Sequence, residues 1–419
     1  MNVLWISNIV PPEAEALLGN NRELKSTGGW IVGLADVLSK QEHIHLSIAA
    51  ISPSVDGVKV LTGERITYYL IPQVGDDIHY TKQEEPLWKT VKQLCAPDVV
   101  HIHGTESPHA LSFVKACGSE NVVVSIQGLV SAYYYYYYYG QTFFEVFSNI
   151  TLRDIIRGGT LIGKRRFVQR AKSEVDLLKK VHHIIGRTDW DRCKVWSLNP
   201  SACYHFNNET LRKEFYQGDR WSLESCERYS IFVSQGAVPY KGLHQVLKAL
   251  PLILRDFPQS KVYVAGYDIC RRNTLKEKLL MTGYGKYLSS VIKKFGLEGK
   301  VIFTGPLSAQ EMKKHYLSSN VFVSPSAIEN SPNSVGEAQI LGVPVISSFV
   351  GGVVNMIPDS SCGKLYRFEE IEMLANMICD IFTNSKVPSE RMIAMAKERH
   401  DGERNVSQLL NIYKKVASK

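Results

Sequence analysis

The sequence lacks several features that are typical of secreted, zinc-binding or membrane-spanning proteins. Its eight cysteines are scattered among 419 residues, and no two form a C-x-x-C pair. This pattern favours reduced, mostly buried thiols in the cytoplasm. No apolar run is long enough to span a bilayer. The apolar start, residues 1–7, is too short for a signal peptide and leads into Pro11 and Pro12, so we predict a first strand there.

The charge balance is basic, with 49 Lys and Arg against 41 Asp and Glu and a formal net charge of +8. A basic surface suits an anionic partner, which could be nucleotide phosphates, an anionic membrane face or nucleic acid. No helix-turn-helix, RNA-recognition or zinc-finger pattern accompanies the charge, so we predict no nucleic-acid partner. The length suggests two to three domains and room for two sizeable cores.

Short apolar runs alternate with helical patterns along the first half of the chain. Such alternation predicts a parallel sheet with helices on both faces. The predicted strands are 3–7, 46–51, 66–71, 99–103 and 122–126, and the predicted helices are 29–40, 85–94 and 107–117. The run that begins at His183 is predicted to close this sheet, and further strands are predicted at 229–234, 261–266 and 301–305 in the second half.

The stretch 321–347 combines a buried strand, a polar loop, a helix from about Ser334 to Leu341, and a further strand. Gly342 stands where a helix C-cap glycine belongs. Glu329 in the loop and Glu337 in the first helical turn bracket the polar segment. Open α/β sheets bind ligands at such strand ends, where backbone N–H groups and the positive helix end point outward. Two other interpretations stay open: Glu337 could cap its own helix through a Ser334 capping box, and Glu329 could be a solvated acid.

This arrangement resembles the retaining glycosyltransferases of family 4, which have the two-domain GT-B fold. The resemblance implies that Glu329 faces the donor sugar as a catalytic residue and that Glu337 holds the ribose hydroxyls. It also implies that loop and helix-end amides bind the donor diphosphate, at Asn330, Ser331, Asn333 and Ser334. We therefore expect two Rossmann-like, doubly wound α/β domains facing across a cleft.

The second domain carries further donor-site matches. Lys241-Gly242 matches the family's diphosphate-binding lysine, although an exposed helix lysine is the alternative. The family's arginine position is Gln235 here, so half of the cationic clamp is missing. Gly266, at the end of a predicted strand, is expected to face the nucleotide. Gly351-Gly352 resembles the family's glycine pair near the donor sugar.

The first domain carries weaker matches. Gly28 and Gly29 precede the first helix, where the family's glycine pair lets backbone approach the donor. His101 and His103 lie on one face of a strand, but no third metal ligand is nearby, so we predict a structural or acceptor-contact role for His103. Gln127 takes the place of the family's sugar-contacting histidine. We predict that it acts in catalysis through hydrogen bonds, since an amide does not titrate near neutral pH.

Three other segments permit two interpretations each. The seven tyrosines Tyr133–Tyr139 could be a partly buried helical segment, or their rings could stack on sugars or lie at a membrane interface. The basic stretch Arg153–Lys172, interleaved with apolar residues, could be a solvated helix face or a surface that docks on anionic lipid. Asp189-x-Asp191 imitates a metal-binding motif of the other glycosyltransferase fold, but we predict a helix start there, with Thr188 or Asp189 as the N-cap.

We accordingly predict an N-terminal acceptor domain (1–206), an interdomain link (207–228), a nucleotide-sugar domain (229–400) and a C-terminal helix (401–419) that crosses back to the first domain. The predicted function is retaining, metal-independent sugar transfer from a UDP- or GDP-linked donor to a glycan or lipid-linked acceptor. Bacterial surface-polysaccharide synthesis is the expected setting. The expected location is the cytoplasm, with peripheral binding to the inner face of the membrane as an open alternative. A non-catalytic sugar-nucleotide binding subunit and a sugar-nucleotide epimerase on the same fold are the alternatives.

Overall fold

We describe the fold from a computed structural model, which covers residues 1–19, 29–384 and 389–418. Of residues 29, 30, 160 and 161 it describes the backbone alone. The chain divides into two compact units. The first contains residues 1–134, 166–211 and 400–419, and the second contains residues 135–165 and 212–399. This division differs from the predicted one at 135–165, which belongs to the second unit, and within the predicted link, which divides after Leu211.

The described residues form fourteen β-strands. These are β1 Asn2–Ser7, β2 His45–Ser52, β3 Lys59–Thr62, β4 Thr67–Pro72, β5 Val99–His103, β6 Val122–Ser125, β7 His183–Gly186, β8 Cys203–Phe206, β9 Glu227–Val233, β10 Lys261–Val264, β11 Val301–Phe303, β12 Ser319–Ser324, β13 Val345–Ser348 and β14 Lys364–Tyr366.

The same residues form seventeen α-helices. These are α1 Pro12–Leu17, α2 Gly29–Leu38, α3 Glu85–Cys95, α4 Pro108–Cys117, α5 Val130–Tyr133, α6 Phe143–Ser148, α7 Leu152–Arg157, α8 Thr160–Lys180, α9 Asp189–Leu198, α10 Leu243–Asp256, α11 Leu275–Leu280, α12 Gly283–Lys294, α13 Ala309–Ser318, α14 Asn333–Leu341, α15 Ile371–Asn384, α16 Glu390–Arg399 and α17 Gly402–Ala417. Short 3₁₀ helices occur at Lys82–Glu84, Tyr134–Tyr136, Lys213–Phe215, Pro239–Lys241 and Val353–Asn355.

Each unit contains one sheet. The strand order is β3-β4-β2-β1-β5-β6-β7-β8 in the first unit and β11-β10-β9-β12-β13-β14 in the second. All neighbouring strands are parallel except β3 and β4. In each sheet the chain adds strands outward from the centre, first toward one edge and then toward the other, as expected for doubly wound folds. Such folds bind ligands at the carboxyl ends of the strands where this reversal occurs. The predicted α/β class is therefore confirmed.

The core of the first unit is closed by α17. Trp5 on β1 is fully buried and donates a hydrogen bond from Nε1 to the Tyr413 hydroxyl at 2.9 Å. His101 on β5 lies 2.6 Å from the same hydroxyl through Nδ1. The C-terminal helix is thus fixed to the central strands by a buried polar cluster as well as by apolar packing.

Candidate functional site

The loop between β12 and α14 lies at the carboxyl end of the second sheet. Its helix begins at Asn333, one residue earlier than predicted, with Pro332 as the N-cap. Gly342 ends the helix with φ +82°, which confirms the predicted glycine C-cap. The first N–H groups of an α-helix have no intrahelical acceptor, so this helix start can receive an anion.

Glu329 and Lys241 form a largely buried ion pair at this loop. The Glu329 Oε1 atom lies 2.5 Å from Lys241 Nζ and also accepts a hydrogen bond from the Ser326 hydroxyl at 2.7 Å. Glu329 is 7% exposed, so the solvated-acid interpretation is wrong. Burial alone would lower the pKa of Lys241, but the adjacent carboxylate raises it above its usual value. The structure thus joins two predicted donor-site residues 88 positions apart.

Two glycines allow the backbone to close tightly around this pair. At Gly242, φ is +72° and a Cβ atom would lie 1.8 Å from the Pro325 carbonyl oxygen. At Gly351, φ is +50° and a Cβ atom would lie 1.9 Å from the Glu329 carbonyl oxygen. The Gly352 N–H donates to that same carbonyl at 3.0 Å. The residue type at both positions is therefore fixed by close backbone approach, which also sets the position of Glu329.

Glu337 forms a second buried ion pair, with Arg212. Its Oε1 atom accepts hydrogen bonds from Arg212 Nε at 3.0 Å and Nη2 at 2.7 Å, and its Oε2 atom lies 3.3 Å from the Tyr316 hydroxyl. Burial raises the pKa of Glu337, and Arg212 and Tyr316 offset only part of that rise. The helix N-cap has no side-chain hydrogen bond, so the capping-box interpretation of Ser334 and Glu337 is wrong. Arg212 was not predicted from the sequence.

The remaining predicted donor-site residues lie on neighbouring strand ends or in the same loop. Asn330 and Ser331 are buried, and the Ser331 hydroxyl contacts Met356 Sδ at 3.6 Å. Gln235 is exposed after β9. Gly266 follows β10 with φ +111° and exchanges backbone hydrogen bonds with Gly305 at 3.0 and 3.1 Å.

Asn333 and Ser334 form the half-buried first turn of α14. Gly29 begins α2. Gly28 lies outside the described residues. The predicted donor-site residues of the second unit therefore gather around one sheet edge, where Glu329 and Lys241 bond to each other directly.

In the first unit, Gln127 follows β6 and is half-buried. Its backbone carbonyl accepts a hydrogen bond from Arg187 Nη2 at 2.8 Å, and its side-chain Oε1 lies 3.5 Å from the same nitrogen. Arg187 is buried and forms an ion pair with Glu209 at 2.8 Å. Neither charged residue was predicted from the sequence, and together they support Gln127 at the carboxyl edge of the sheet.

His103 lies in the interior of the first unit. Its ring centroid is 4.4 Å from that of Trp5 and 3.8 Å from that of His101, so both histidines share one strand face as predicted. Burial lowers the pKa of His103 well below its usual value, and His101 adds to that effect. This environment favours the structural interpretation of His103.

The Asp189-x-Asp191 segment is a helix start, as predicted. Thr188 is the N-cap of α9, and its hydroxyl accepts from the Asp191 N–H at 3.2 Å in a capping box. Asp191 is fully buried and also accepts from the Arg187 N–H at 3.0 Å. Its carboxylate is therefore committed to the helix start and the adjoining strand end.

The tyrosine run contains both buried and exposed rings. Tyr133 ends α5 and is buried, whereas Tyr135 is 66% exposed. Burial raises the pKa of Tyr138. The boundary between the two units falls between Tyr134 and Tyr135, so the run is not one uniform surface.

The basic stretch also divides between the units, after Arg165. On its second-unit side, large apolar side chains of α6, α7 and α11 are exposed, and we call them the apolar surface. Helix α7 is fixed beside the end of α11 by a hydrogen bond from the Thr151 hydroxyl to the Met281 carbonyl at 2.8 Å. The surface contains Phe143, Phe144, Ile155, Ile156 and Leu275, which are between 71% and 77% exposed.

Within the described residues, no helix combines the length and the apolar character that crossing a membrane requires. All eight cysteines are free thiols, but only Cys226 and Cys362 are buried, so the prediction of mostly buried thiols is wrong.

Comparison with known proteins relates the second unit to one family. Residues 219–399 match the family model described as glycosyl transferases group 1. An uncharacterized glycosyltransferase of Methanocaldococcus jannaschii, MJ1607, is 32% identical over 204 residues, which are 43% of this chain and 48% of that protein. A GDP-mannose-dependent alpha-(1-6)-phosphatidylinositol monomannoside mannosyltransferase of Mycolicibacterium smegmatis is 23% identical over 49% of this chain and 48% of its own. The chain thus spans about half the length of these two relatives.

Solved structures resemble the whole chain. Sucrose-phosphate synthase from Thermosynechococcus elongatus superposes with a TM-score of 0.69 at 14% identity, over 99% of this chain and 98% of that one. Anabaena Alr3699/HepE, solved in complex with UDP and glucose, superposes with a TM-score of 0.67 at 15% identity, over the full length of both chains.

Proposed function

We propose that this protein is a retaining glycosyltransferase, because residues 219–399 match the group 1 glycosyl transferase model and the chain has the GT-B fold. It moves a sugar from a nucleotide-diphosphate donor to a glycan or lipid-linked acceptor. The observation that carries this proposal is the buried pair of Glu329 and Lys241 beside the start of α14. Such a pair places a cation and a carboxylate where a sugar diphosphate needs both.

The proposed reaction exchanges one bond at the anomeric carbon. The bond from this carbon to the diphosphate oxygen breaks, and a bond to an acceptor hydroxyl oxygen forms on the same face. The hydroxyl proton passes to the released diphosphate. Negative charge develops on the leaving group, and Lys241 together with the amides of the first turn of α14 stabilises it. These groups perform that task without an obligatory metal ion.

Glu329 has a separate role in this proposal. When the donor diphosphate draws Lys241 toward itself, the carboxylate becomes available to orient sugar hydroxyls and to stabilise positive charge at the anomeric carbon. The Gly351 and Gly352 backbone fixes the Glu329 carbonyl, so the side chain starts from a defined position. Pre-organised charge of this kind lowers the barrier because it needs no rearrangement during the reaction.

Glu337 is proposed to hold the donor ribose. Arg212 occupies its Oε1 atom, whereas Oε2 has a longer contact with Tyr316. The ribose hydroxyls would donate to Oε2, while Arg212 keeps the carboxylate ionised and correctly oriented. Arg212 is thus a positioning residue for the nucleotide.

The donor is proposed to be UDP- or GDP-linked. The Anabaena protein was solved with UDP-glucose, and the mycobacterial relative is GDP-mannose-dependent. Gln127 remains the proposed catalytic residue of the first unit, whereas the buried His103 is proposed to support the acceptor side from the interior rather than to contact the acceptor. Gln127 would contact the sugar through its amide, held by Arg187.

We also propose that the apolar surface docks on an anionic membrane, which suits a lipid-linked acceptor. Exposed basic residues lie on α7, on the first turns of α8, and on α11 and the loop before it, namely Arg157, Arg165, Arg271, Arg272, Lys276 and Lys278. Apolar side chains beside cations are the composition of interfacial helices. This proposal places the enzyme at the inner membrane face, in surface-polysaccharide synthesis, where reduced cysteines also fit.

Vesicle co-sedimentation tests the membrane proposal. Wild-type protein is expected to bind vesicles containing phosphatidylglycerol and to bind neutral phosphatidylcholine vesicles far less. The double variant Ile155→Ser, Ile156→Ser should reduce binding at least about tenfold, since burial of each side chain contributes about 1.5–3 kcal/mol. Leu94→Ser, at an exposed leucine of the first unit, is the matched control. Equal binding by wild type and the double variant would remove this part of the proposal.

Product analysis tests the enzymatic proposal. Purified protein is incubated with UDP- and GDP-sugars and with free or lipid-linked glycan acceptors, and the anomeric configuration of the product is determined by NMR. Glu329→Gln should lose most of the transfer rate with little change in fold, whereas Glu298→Gln, an exposed carboxylate of the same unit, should keep full activity. Full activity of Glu329→Gln would exclude the proposed role.

The same assay separates the two alternatives. A sugar-nucleotide epimerase converts the donor without an acceptor. A non-catalytic binding subunit is stabilised by a nucleoside diphosphate in a thermal-shift assay but forms no product. Gln127 and Gln235 favour the second alternative, since each stands where the family has a titratable or charged side chain.

A further inference from the structure

We propose that His183, Cys203 and His205 form a Zn²⁺ site at the edge of the first sheet. Strands β7 and β8 are parallel neighbours, and His183 is paired with Cys203 in their register. Cys203 and His205 are two residues apart on β8 and therefore point to the same face. One ligand atom from each of the three residues lies within 4.8 Å of the other two. A single ion can therefore reach all three.

The donor set is the one that Zn²⁺ prefers. Two imidazole nitrogens and one thiolate are common ligands of tetrahedral zinc. His183 Nδ1 and His205 Nε2 are 3.0 Å apart. A tetrahedral ion with bonds of about 2.0–2.1 Å holds two nitrogens about 3.3 Å apart, so the rings need to separate by only a few tenths of an ångström. Water or another small ligand would take the fourth position.

The surroundings allow an ion to enter. Both histidines are buried, whereas Cys203 is exposed, and β8 is the last strand of the sheet. His183 and Cys203 are the first residues of their strands, so this cluster lies at the amino edge of the sheet. Gln127 and Arg187 follow the carboxyl ends of β6 and β7. The proposed ion therefore fastens an edge strand to the sheet and has no part in sugar transfer.

Two features of the cluster oppose metal binding, and one of them provides a test of the proposal. The two imidazoles can bond to each other directly, which satisfies them without an ion. The Lys415 ammonium of α17 acts electrostatically on His205, as does His182. A nearby positive charge repels a divalent cation. Lys415→Ala is therefore expected to strengthen Zn²⁺ binding, whereas a cluster that only forms a histidine hydrogen bond would be indifferent to this change.

Competition titration with a chromophoric zinc chelator tests the site on the full-length, reduced, metal-stripped protein. We expect one high-affinity Zn²⁺ per chain. Cys203→Ser should weaken Zn²⁺ binding at least about tenfold. Replacing a residue that only hydrogen-bonds a zinc ligand typically costs about 10–100-fold in affinity, and loss of a ligand itself should cost no less. The exposed Cys203 can be replaced without opening a cavity. Cys193→Ser, at another exposed cysteine of the first unit, is the matched control and should bind as wild type does.

Two further readouts complete the experiment. Co²⁺ substituted for Zn²⁺ should show tetrahedral ligand-field bands and a thiolate charge-transfer band in wild type, and the charge-transfer band should be absent from Cys203→Ser. Zn²⁺ should raise the melting temperature of wild type more than that of Cys203→Ser. Equal Zn²⁺ affinity in wild type and Cys203→Ser, or less than one tightly bound ion per chain, would overturn the proposal.

Discussion

Replacing Glu174 by glutamine should change how the stability of the first unit depends on pH. Glu174 on α8 is fully buried. Its carboxylate accepts hydrogen bonds from the Thr105 hydroxyl at 2.5 Å, the Ser131 N–H at 2.7 Å and the Val130 N–H at 3.2 Å. Burial nevertheless raises its pKa from 4.5 to about 7, because the hydrogen bonds offset only part of the desolvation cost and Glu106 adds repulsion.

The sign and size of the effect follow from this raised pKa. In the unfolded chain the carboxyl group ionises near its ordinary pKa, whereas the folded unit keeps the proton until the pH reaches about 7. The folded state therefore binds more protons between these values, so stability falls as pH rises through this window and is constant above it. Between pH 5 and pH 8 the loss is about 2.5 kcal/mol, from about 1.36 kcal/mol for each unit of pKa difference.

Urea denaturation at several pH values, followed by tryptophan fluorescence, measures this loss. Glu174→Gln removes the titrating group. Between pH 5 and pH 8, the loss of unfolding free energy should therefore be about 2.5 kcal/mol smaller in the variant than in wild type. Any penalty from the amide facing backbone N–H donors is the same at every pH and cancels in this comparison. Since the chain has two units, the comparison uses the transition that the substitution displaces.

A control and a contrary result complete this prediction. Glu120→Gln, at an exposed carboxylate of the same unit, should leave the pH dependence as in wild type. Desolvation also raises the pKa of the half-buried Glu106, and Arg170 offsets part of that rise, so the Glu174→Gln curve keeps a smaller slope from this neighbour. If the wild-type and Glu174→Gln curves are parallel from pH 5 to pH 8, the carboxyl group of Glu174 does not retain its proton in the folded state and the reasoning is wrong.

Three further predictions concern the second unit. Lys241→Met leaves Glu329 buried without its cation, so it should destabilise the unit by about 3–5 kcal/mol in denaturation experiments and weaken nucleoside-diphosphate binding measured by calorimetry. The double variant Lys241→Met, Glu329→Gln should regain most of the stability but not the binding. Gly351→Ala should lower the melting temperature and the transfer rate together, because the new Cβ would lie 1.9 Å from the Glu329 carbonyl oxygen; an unchanged melting temperature would contradict this close approach. Arg212→Ala should raise the pKa of Glu337 further, because Arg212 stabilises the ionised carboxylate. In binding titrations at decreasing pH, the variant should therefore lose nucleotide affinity at a higher pH than wild type does.

The sequence predicted most strands because buried parallel strands are continuous apolar runs. The β5 strand was predicted with its observed bounds, and β1, β2 and β4 within one residue at each end. The missed strands, β3, β8 and β14, are short and lie at sheet edges, where few positions are buried and the apolar run disappears. The assignment of residues 135–165 to the second unit was also missed, because it depends on packing between distant parts of the chain rather than on local pattern.

Most single residues of the candidate site could be predicted from the sequence, but the ion pairs that join them could not. Glu329 and Lys241 were each identified from their local segment, yet their ion pair joins positions 88 residues apart. Arg212 lies 125 residues from Glu337, in a segment predicted to be a link between domains, and nothing in its neighbourhood marks it as functional. Ion pairs between distant segments have no periodicity, so a single sequence contains no signal for them.

The role of Glu337 shows how one residue at a helix boundary changes the chemistry. With a helix starting just after Ser334, Glu337 is the third helical residue and can cap it. The helix instead begins at Asn333, after Pro332, whose ring offers no side-chain acceptor, so Glu337 is the fifth helical residue and beyond reach of the capping position. Its carboxylate then points to Arg212 and Tyr316. Pro332 therefore matters to the proposed role of Glu337, because it denies the helix a capping box and leaves Glu337 as a buried, cation-paired carboxylate.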